Sequence, residues 1–188
     1  MSIGECFRTS ARGLKKTRVL VTAALLLAVQ VALGLVASIP IGSTIRISFG
    51  YLALAVTGYL FGPVPAMLNG ALSDILLTLL KPSGAYFIGF TVTGLLQGMI
   101  YGLFLFKTDL TLPRVLIAKV LINFLLNGLL NTFWLQCMVW LGLMAEGTFW
   151  VSLPWRLLKN LAQYPIDILL LWPLLLYVRK RIEPKLRS

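Results

Sequence analysis

The sequence predicts an all-α integral membrane protein with six transmembrane helices and both termini in the cytoplasm. Composition is the first reason, since 59% of the 188 residues are hydrophobic, 12% are charged and the mean hydropathy is +0.89. Such a chain has too little polar surface to cover a soluble domain. The second reason is a series of apolar stretches, five of which approach or exceed the length of about 20 residues that a transmembrane helix needs. They are Val19–Ile39, Ser48–Phe61, Val64–Leu80, Tyr86–Phe106, Leu112–Leu143 and Val151–Val178.

The ends of these stretches predict how the chain is organised. The first follows a basic leader and has no small-residue cleavage site, so we expect it to be retained as a helix. The second is short, and we expect it to be tilted, incomplete or extended by the loop that carries Arg46. The turn signal Gly-Pro-Val-Pro at residues 62–65 separates it from the third. We therefore expect one membrane domain over residues 19–178, between a leader (1–18) and a tail (179–188).

The distribution of basic residues is the third reason, and it predicts the orientation. Ten of the 17 Lys and Arg residues lie in the first 18 and last ten positions, whereas the 160 residues between them carry 11 charges. Lys107 and Arg114 fall in a loop on the same side as the termini, and Arg46 and Lys81 fall on the other side. Because cytoplasmic flanks collect Lys and Arg, both termini are expected to be cytoplasmic. Membrane topology thus accounts for the net charge of +11, and nucleic-acid binding is not expected.

Polar residues repeat along the fifth and sixth stretches with helical spacing. In the fifth they recur every four residues, at Lys119, Asn123, Asn127 and Asn131. In the sixth they share one helical face, at Arg156, Lys159, Asn160, Gln163 and Asp167. Because the two helices are antiparallel neighbours, we expect Lys119 to form a structural ion pair with Asp167. The same arrangement places Asn131 near Arg156 at the outer end.

Arg156 and Lys159 are predicted to bind an anion. They lie three residues apart, and their acidic neighbour towards the outer loop is Glu146. An anionic ligand would neutralise both cations inside the membrane domain. The alternative is that both side chains extend to the outer interface and remain hydrated.

Three other charged residues are candidates for the same site. Arg46 lies in an alternating apolar string and is expected to form a roof over a pocket. Lys81 opens a turn that leads to Tyr86 and Phe87 at a helix entrance, although a solvated lysine is equally consistent with its position. Asp74 lies within the third stretch, where a carboxylate needs a partner or a proton. For Asp74, the sequence is equally consistent with a contact to a ligand and with a structural contact inside the protein.

Further features favour packing and argue against catalysis. Gly94, Gly98 and Gly102 form a small-residue row that allows close helix approach. Cys6 and Cys137 are predicted to be free thiols. The chain has no histidine, no Walker P-loop and no metal-binding motif, so we expect neither enzyme activity nor a bound metal or cofactor.

Several short motifs, in this order and spacing, resemble those of a known family. They are Ala24-Leu25-Leu26-Leu27-Ala28, Ile45-Arg46-Ile47-Ser48-Phe49, Phe61-Gly62-Pro63-Val64, Gly70-Ala71-Leu72-Ser73-Asp74, Pro82-Ser83-Gly84-Ala85-Tyr86-Phe87, Leu130-Asn131-Thr132-Phe133-Trp134 and Pro154-Trp155-Arg156-Leu157-Leu158-Lys159-Asn160. The similarity covers the chain from about Lys16 to Lys180. On these motifs the chain resembles the S components of energy-coupling factor (ECF) vitamin transporters, and among them the folate-type members.

The resemblance implies a six-helix fold in the cell membrane, with an outward-facing vitamin pocket that outer loops close. It implies partners as well, namely a transmembrane coupling protein (T component) and two ATPase subunits that drive uptake. Ala24 and Ala28 match the small-residue pattern through which this family contacts the coupling protein. No cofactor is implied, and the ligand is expected to be folate.

Folate fits the candidate residues. Its glutamate tail carries two carboxylates, which Arg46, Arg156 and Lys159 are expected to bind, with Asp74 and Lys81 completing the site. Its rings need aromatic faces and amide hydrogen bonds. The candidates for the rings are Phe49, Tyr51, Tyr86, Phe87, Asn127, Asn131, Trp134 and Trp155.

Two alternatives are open. One is an S component for another vitamin, such as riboflavin or a thiamine precursor, which a strongly cationic pocket disfavours. The other is a membrane enzyme or assembly factor, and the absence of histidine and of paired carboxylates argues against it.

Overall fold

The structure is built mainly of helices. It is a computed structural model that describes residues 2–36, 39–41, 45–47, 49–81, 86–143 and 149–184, with the backbone alone for 39–41, 45–47 and 149–152. In these ranges the helices are α1 (Ile3–Gly13), α2 (Thr17–Val36), α3 (Tyr51–Phe61), α4 (Pro63–Leu80), α5 (Ile88–Leu105), α6 (Leu112–Val120), α7 (Asn131–Trp140) and α8 (Phe149–Arg181). A π-helical segment, Leu121–Leu130, joins α6 to α7 without a break.

Five helices in the described ranges are long and apolar enough to cross a membrane, namely Thr17–Val36, Pro63–Leu80, Ile88–Leu105, Leu112–Trp140 and Leu153–Ile182. They correspond to five of the six predicted stretches, which confirms a helical, multi-pass membrane protein. The second stretch forms only α3, which has 11 residues. Gly62, with a φ of 87°, ends that helix in a backbone region that favours glycine, and Pro63 starts α4 at once.

A short hairpin lies between α2 and α3, and the all-α prediction missed it. Strands β1 (Ile39–Ile41) and β2 (Ile45–Ile47) pair antiparallel, with Pro40 opposite Arg46. Strands of three residues are too short to produce a clear period. Their isoleucines look the same in sequence as the end of an apolar helix.

Helices α4 and α5 pack closely through small residues. A Cβ atom added to Gly98 would lie 2.1 Å from the carbonyl oxygen of Ala66, and one added to Gly94 would lie 2.5 Å from that of Gly70. Real side chains cannot approach so closely, so the two backbones touch because these positions are glycine. The prediction that the row of residues 94, 98 and 102 serves packing is confirmed.

The apolar core lies between α3, α5, α6 and α8. Leu54, Tyr101, Val115 and Leu171 are at most 1% exposed and belong to one buried cluster. The first transmembrane helix, α2, is attached to the bundle by polar contacts as well. Asn69 on α4 donates Nδ2 to the Ala23 carbonyl over 2.9 Å.

The leader contains a helix that we did not predict. Helix α1 begins with a capping box in which the Glu5 amide donates to Ser2 Oγ and the Ser2 amide donates to Glu5 Oε2. The hydrogen bonds from Ser2 lower the pKa of the Glu5 carboxyl. The Ser-x-x-Glu pattern is visible in the sequence, but it lies outside the apolar stretches that indicate membrane spans. Burial raises the pKa of the neighbouring Cys6 thiol.

Helix α1 packs against the turn between α3 and α4. Ser10 is 1% exposed, donates Oγ to the Phe61 carbonyl over 2.7 Å and accepts a hydrogen bond from the Val64 amide over 3.1 Å. Nearby, the Tyr59 hydroxyl donates to Glu183, just beyond the end of α8. The described stretches near the two termini therefore meet at the same end of the bundle.

Candidate ligand-binding site

The two predicted polar rows meet at a buried ion pair. Lys119 Nζ lies 2.8 Å from Asp167 Oδ2, and the two side chains are 2% and 1% exposed. Asn123 donates to the same oxygen over 3.1 Å, and Gln163 donates to Oδ1 over 3.2 Å. The ammonium also lies 3.4 Å from the centroid of the Tyr51 ring, a cation–π contact. The charges neutralise each other within the protein, so the predicted structural pair is confirmed.

The π-helical segment keeps the polar row of the fifth stretch on one side. In an α-helix a step of four residues overshoots a full turn by about 40°. A π-helical turn holds more than four residues, so the same step falls short. Asn123 and Asn127 lie in the π segment, between Lys119 and Asn131 in the flanking α-helices, so the two deviations compensate. Asn160 of α8 supports the segment by donating Nδ2 to the Asn123 carbonyl over 2.6 Å.

Towards α7 this row forms an amide cluster with α5. Gln97 donates Nε2 to Asn127 Oδ1 over 2.8 Å, and Asn131 Nδ2 lies 3.4 Å from the same oxygen. Asn131 Oδ1 is buried and has no hydrogen-bond partner among the described residues. Amides both donate and accept hydrogen bonds, so the cluster is suited to the edge of a heteroaromatic ring. Gln97 was not among the predicted site residues, because its signal in the sequence is a single amide in an apolar stretch.

An aromatic cluster lies beside the amides. The Trp134 ring is 5.9 Å from Phe87 and 5.2 Å from Phe133, measured between centroids. Trp134 Nε1 donates to Thr93 Oγ1 over 3.1 Å, and a Cβ atom at Gly89 would lie 2.5 Å from the indole. The indole is therefore held against α5 by a hydrogen bond and by the absence of a side chain at residue 89. The structure thus brings together Phe87 and Trp134, two of the side chains that were predicted to contact the rings of folate.

Asp74 lies in a chain of hydrogen bonds between α4 and the start of α5. Thr91 donates Oγ1 to Asp74 Oδ2 over 2.6 Å, and the Tyr86 hydroxyl lies 2.7 Å from Thr91 Oγ1. The carboxylate is half-buried, which leaves part of its surface open to a ligand. The structural contact exists, and the ligand contact stays a prediction.

Two predicted cations lie one helical turn apart on α8. Arg156 and Lys159 are half-buried, and Arg156 Nε is buried without a hydrogen-bond partner among the described residues. A buried donor without an acceptor is unfavourable. An anionic oxygen at Arg156 would supply that acceptor.

The other candidate residues are more scattered. Lys81 is exposed at the end of α4, Phe49 is half-buried just before α3, and Trp155 is 64% exposed on α8. The side chain of Arg46 lies outside the described residues, although its backbone belongs to β2. The contacts that these four residues were predicted to make stay predictions.

The remaining predictions concern a partner surface, the cysteines and metals. Ala24 and Ala28 are exposed, whereas Ala23 of the same helix is 5% exposed. Cys6 and Cys137 are free thiols, as predicted. Within the described ranges, no three His, Cys, Asp or Glu side chains lie close enough to hold a metal ion.

Comparison with known proteins identifies the family. Residues 14–180 match the family model described as "ECF-type riboflavin transporter, S component". The chain is 34% identical over 161 residues to the folate transporter FolT of Clostridium novyi, covering 85% of this chain and 88% of that protein. It is 33% identical over 147 residues to the folate transporter FolT of Leuconostoc mesenteroides, covering 76% and 78%.

A solved structure is similar as well. It is a crystal structure of FolT bound with folic acid, with a TM-score of 0.71 and 32% sequence identity over 84% of this chain and 91% of that one. The sequence comparisons and the structural comparison therefore each cover most of the chain. These relatives are transporters, which confirms the expectation that the chain is not an enzyme. The chain belongs to the family of ECF-type transporter S components.

Proposed function

We propose that this S component binds folate at the outer face of the membrane and delivers it through an ECF-type uptake transporter. The observation that carries the proposal is the similarity to FolT, whose crystal structure contains folic acid. The described residues supply the chemistry that it needs, because they include an amide cluster, an aromatic cluster and the buried N–H donor of Arg156. Folate needs all three, since it has a heteroaromatic pterin, a benzoate ring and two carboxylates.

The parts of folate are assigned to different side chains. Arg156 and Lys159, with Arg46 from the hairpin, bind the glutamate carboxylates through charge-assisted hydrogen bonds. The pterin edge is recognised by the amides of Asn127 and Asn131. Ring faces are bound by aromatic side chains, and polar contacts from Asp74 and Lys81 complete the site. The aromatic candidates are Phe49, Tyr51, Tyr86, Phe87, Trp134 and Trp155.

The proposal includes six spans and cytoplasmic termini. Helix α3 is the second span in spite of its length, because 11 residues rise about 16 Å and the adjoining hairpin extends the segment. The basic residues at both ends of the chain support the orientation. The whole of residues 1–188 then forms one membrane unit, with leader and tail on the cytoplasmic side.

Transport needs partners, because the chain has no P-loop. Its family implies a T component and two ATPase subunits. Ala24 and Ala28 form the contact with the T component, since they are small and exposed on α2. Small residues of this kind allow close helix approach in membranes.

Riboflavin is the second candidate ligand, because the matching family model is described by that vitamin. Purified protein in detergent is analysed for co-purified ligand by mass spectrometry and titrated with folate and with riboflavin by calorimetry. Folate binding without ATP hydrolysis is expected. Riboflavin binding with no response to folate would replace the ligand and keep the family, whereas ATP turnover by the isolated chain would contradict the transport role.

A further inference from the structure

A group of exposed cations surrounds α1 and the start of α2, at the end of the bundle away from the candidate ligand site. We call this group the basic surface, and its members are Arg8, Arg12, Lys15, Lys16 and Arg18. The exposed residues Arg179, Lys180 and Arg181 of α8 lie at the same end and add to the positive potential. The ligand site described above uses none of these residues.

The orientation of α1 is fixed by contacts with the bundle. Ser10 holds it to the turn between α3 and α4 with two hydrogen bonds, and Cys6, one turn earlier, is 5% exposed. Arg8 and Arg12 are separated by one helical turn and are both exposed, so their side chains point away from this contact. The orientation of these two arginines is therefore set by the packing of α1 against the bundle.

The connection to α2 sets the depth of the basic surface in the membrane. Helix α1 ends at Gly13 and α2 begins at Thr17, and the three residues between them span at most about 10 Å. Because α2 crosses the membrane, the arginines of α1 lie near the level of lipid headgroups. Just beyond Arg18, Leu20 and Val21 are 55% and 53% exposed, so apolar side chains adjoin the cations.

Few acidic groups compete for these cations. Glu5 accepts a hydrogen bond from the Ser2 amide over 2.9 Å, and Glu183 accepts one from Tyr59. Groups of four to eight basic residues beside a transmembrane helix attract anionic lipids, with a contribution of about five-fold in affinity for each charge. We propose that the basic surface binds the phosphate headgroups of anionic phospholipids while Leu20 and Val21 contact their acyl chains. An acidic protein surface would also match the cations, but their level near the lipid headgroups, beside apolar side chains of a helix that crosses the membrane, favours lipid.

The test titrates the purified full chain, in a neutral detergent, with fluorescent phosphatidylglycerol. Phosphatidylcholine with the same acyl chains tests the need for negative charge, and glycerol phosphate tests the need for the chains. We expect phosphatidylglycerol to bind best and salt to weaken it. Arg8→Gln and Arg12→Gln should each reduce its affinity about five-fold, and together about 30-fold. Arg114→Gln removes an exposed charge of α6 outside the basic surface and should have little effect.

Equal affinity for the two phospholipids, or full affinity in the double variant, would overturn the proposal. So would a double variant that binds phosphatidylglycerol normally but no longer assembles with the ATPase subunits, because the surface would then serve a protein partner. Circular dichroism and folate binding, measured on the same samples, report whether each variant is folded. If the double variant is misfolded, the two single variants decide. Loss of the lipid result with normal folate binding would overturn the lipid proposal alone. Absence of folate binding in the unchanged protein would overturn the ligand assignment instead.

Discussion

At the scale of single residues, the cations of the membrane domain have different roles. Lys119 is 2% exposed and its charge is matched by Asp167, which also accepts hydrogen bonds from two amides. Arg156 Nε is buried without a hydrogen-bond partner among the described residues. The charge of Lys119 is therefore matched within the protein, whereas Arg156 has a buried N–H group that can donate to a ligand.

Arg156→Ala should weaken folate binding by roughly ten- to a hundred-fold, because a charge-assisted hydrogen bond contributes about 1.5 to 3 kcal/mol. A pterin without the glutamate tail should lose much less affinity. Calorimetric titration of both ligands checks the prediction, with Arg114→Ala as the control at the other end of the bundle. Equal losses for the two ligands would remove Arg156 from the tail site.

Lys119→Met should destabilise the isolated protein, because it leaves the Asp167 carboxylate buried without its cation. Breaking a buried pair from one side costs about 3 to 5 kcal/mol, whereas replacing both partners by apolar residues is often neutral. Lys119→Met with Asp167→Leu should therefore recover part of the loss in unfolding temperature. Thermal unfolding in detergent, followed by intrinsic fluorescence, measures it. A double variant that is less stable than the single one would contradict this account.

At the scale of elements, helix α2 has two different faces. Ala23 accepts a hydrogen bond from Asn69, and Gln30 donates Nε2 to Ser73 over 2.7 Å, so one face is attached to α4. Ala24 and Ala28 are exposed on the rest of the helix. Mutations on the two faces should therefore affect different properties.

Ala28→Leu should leave folate affinity almost unchanged and reduce uptake or assembly with the T component, since a bulky side chain prevents close helix approach. Ala23→Leu is the matched control, and it should lower the yield of folded protein because Ala23 is 5% exposed. Ligand titration on the isolated protein is compared with uptake by the full complex in vesicles. Normal uptake by the Ala28 variant would assign the exposed alanines to contacts with lipid.

At the scale of the whole molecule, the two ends of the bundle differ in chemistry. One end has the basic surface, helix α1 and the contact between Tyr59 and Glu183. The other end has the amide and aromatic clusters and Arg156. If one end binds the ligand and the other binds lipid headgroups, as proposed above, the bundle functions in one orientation in the membrane.

Cysteine labelling should reveal that orientation. In a background without Cys6 and Cys137, Lys81→Cys should react with a membrane-impermeant maleimide on intact cells. Lys180→Cys should react only after the cells are permeabilised. Both side chains are exposed, so access across the membrane decides the result. The reverse pattern would contradict cytoplasmic termini.

The sequence by itself determined five long membrane helices, the family resemblance and the main polar rows. Hydropathy is a local property, so five of the six apolar stretches appear as long helices. The pairing of Lys119 with Asp167 was also predictable, because helical spacing places each residue on one face and two buried opposite charges must meet.

Only the tertiary structure decided which distant residues share a site. Gln97 meets Asn127, and Trp134 fits against Gly89, because α5 packs alongside the helix formed by α6, the π segment and α7. Spacing along one helix carries no information about which helix packs beside it. The docking of α1 through Ser10 likewise depends on a turn more than 50 residues away. Local periodicity defines the faces of each helix, and packing in three dimensions decides what each face contacts.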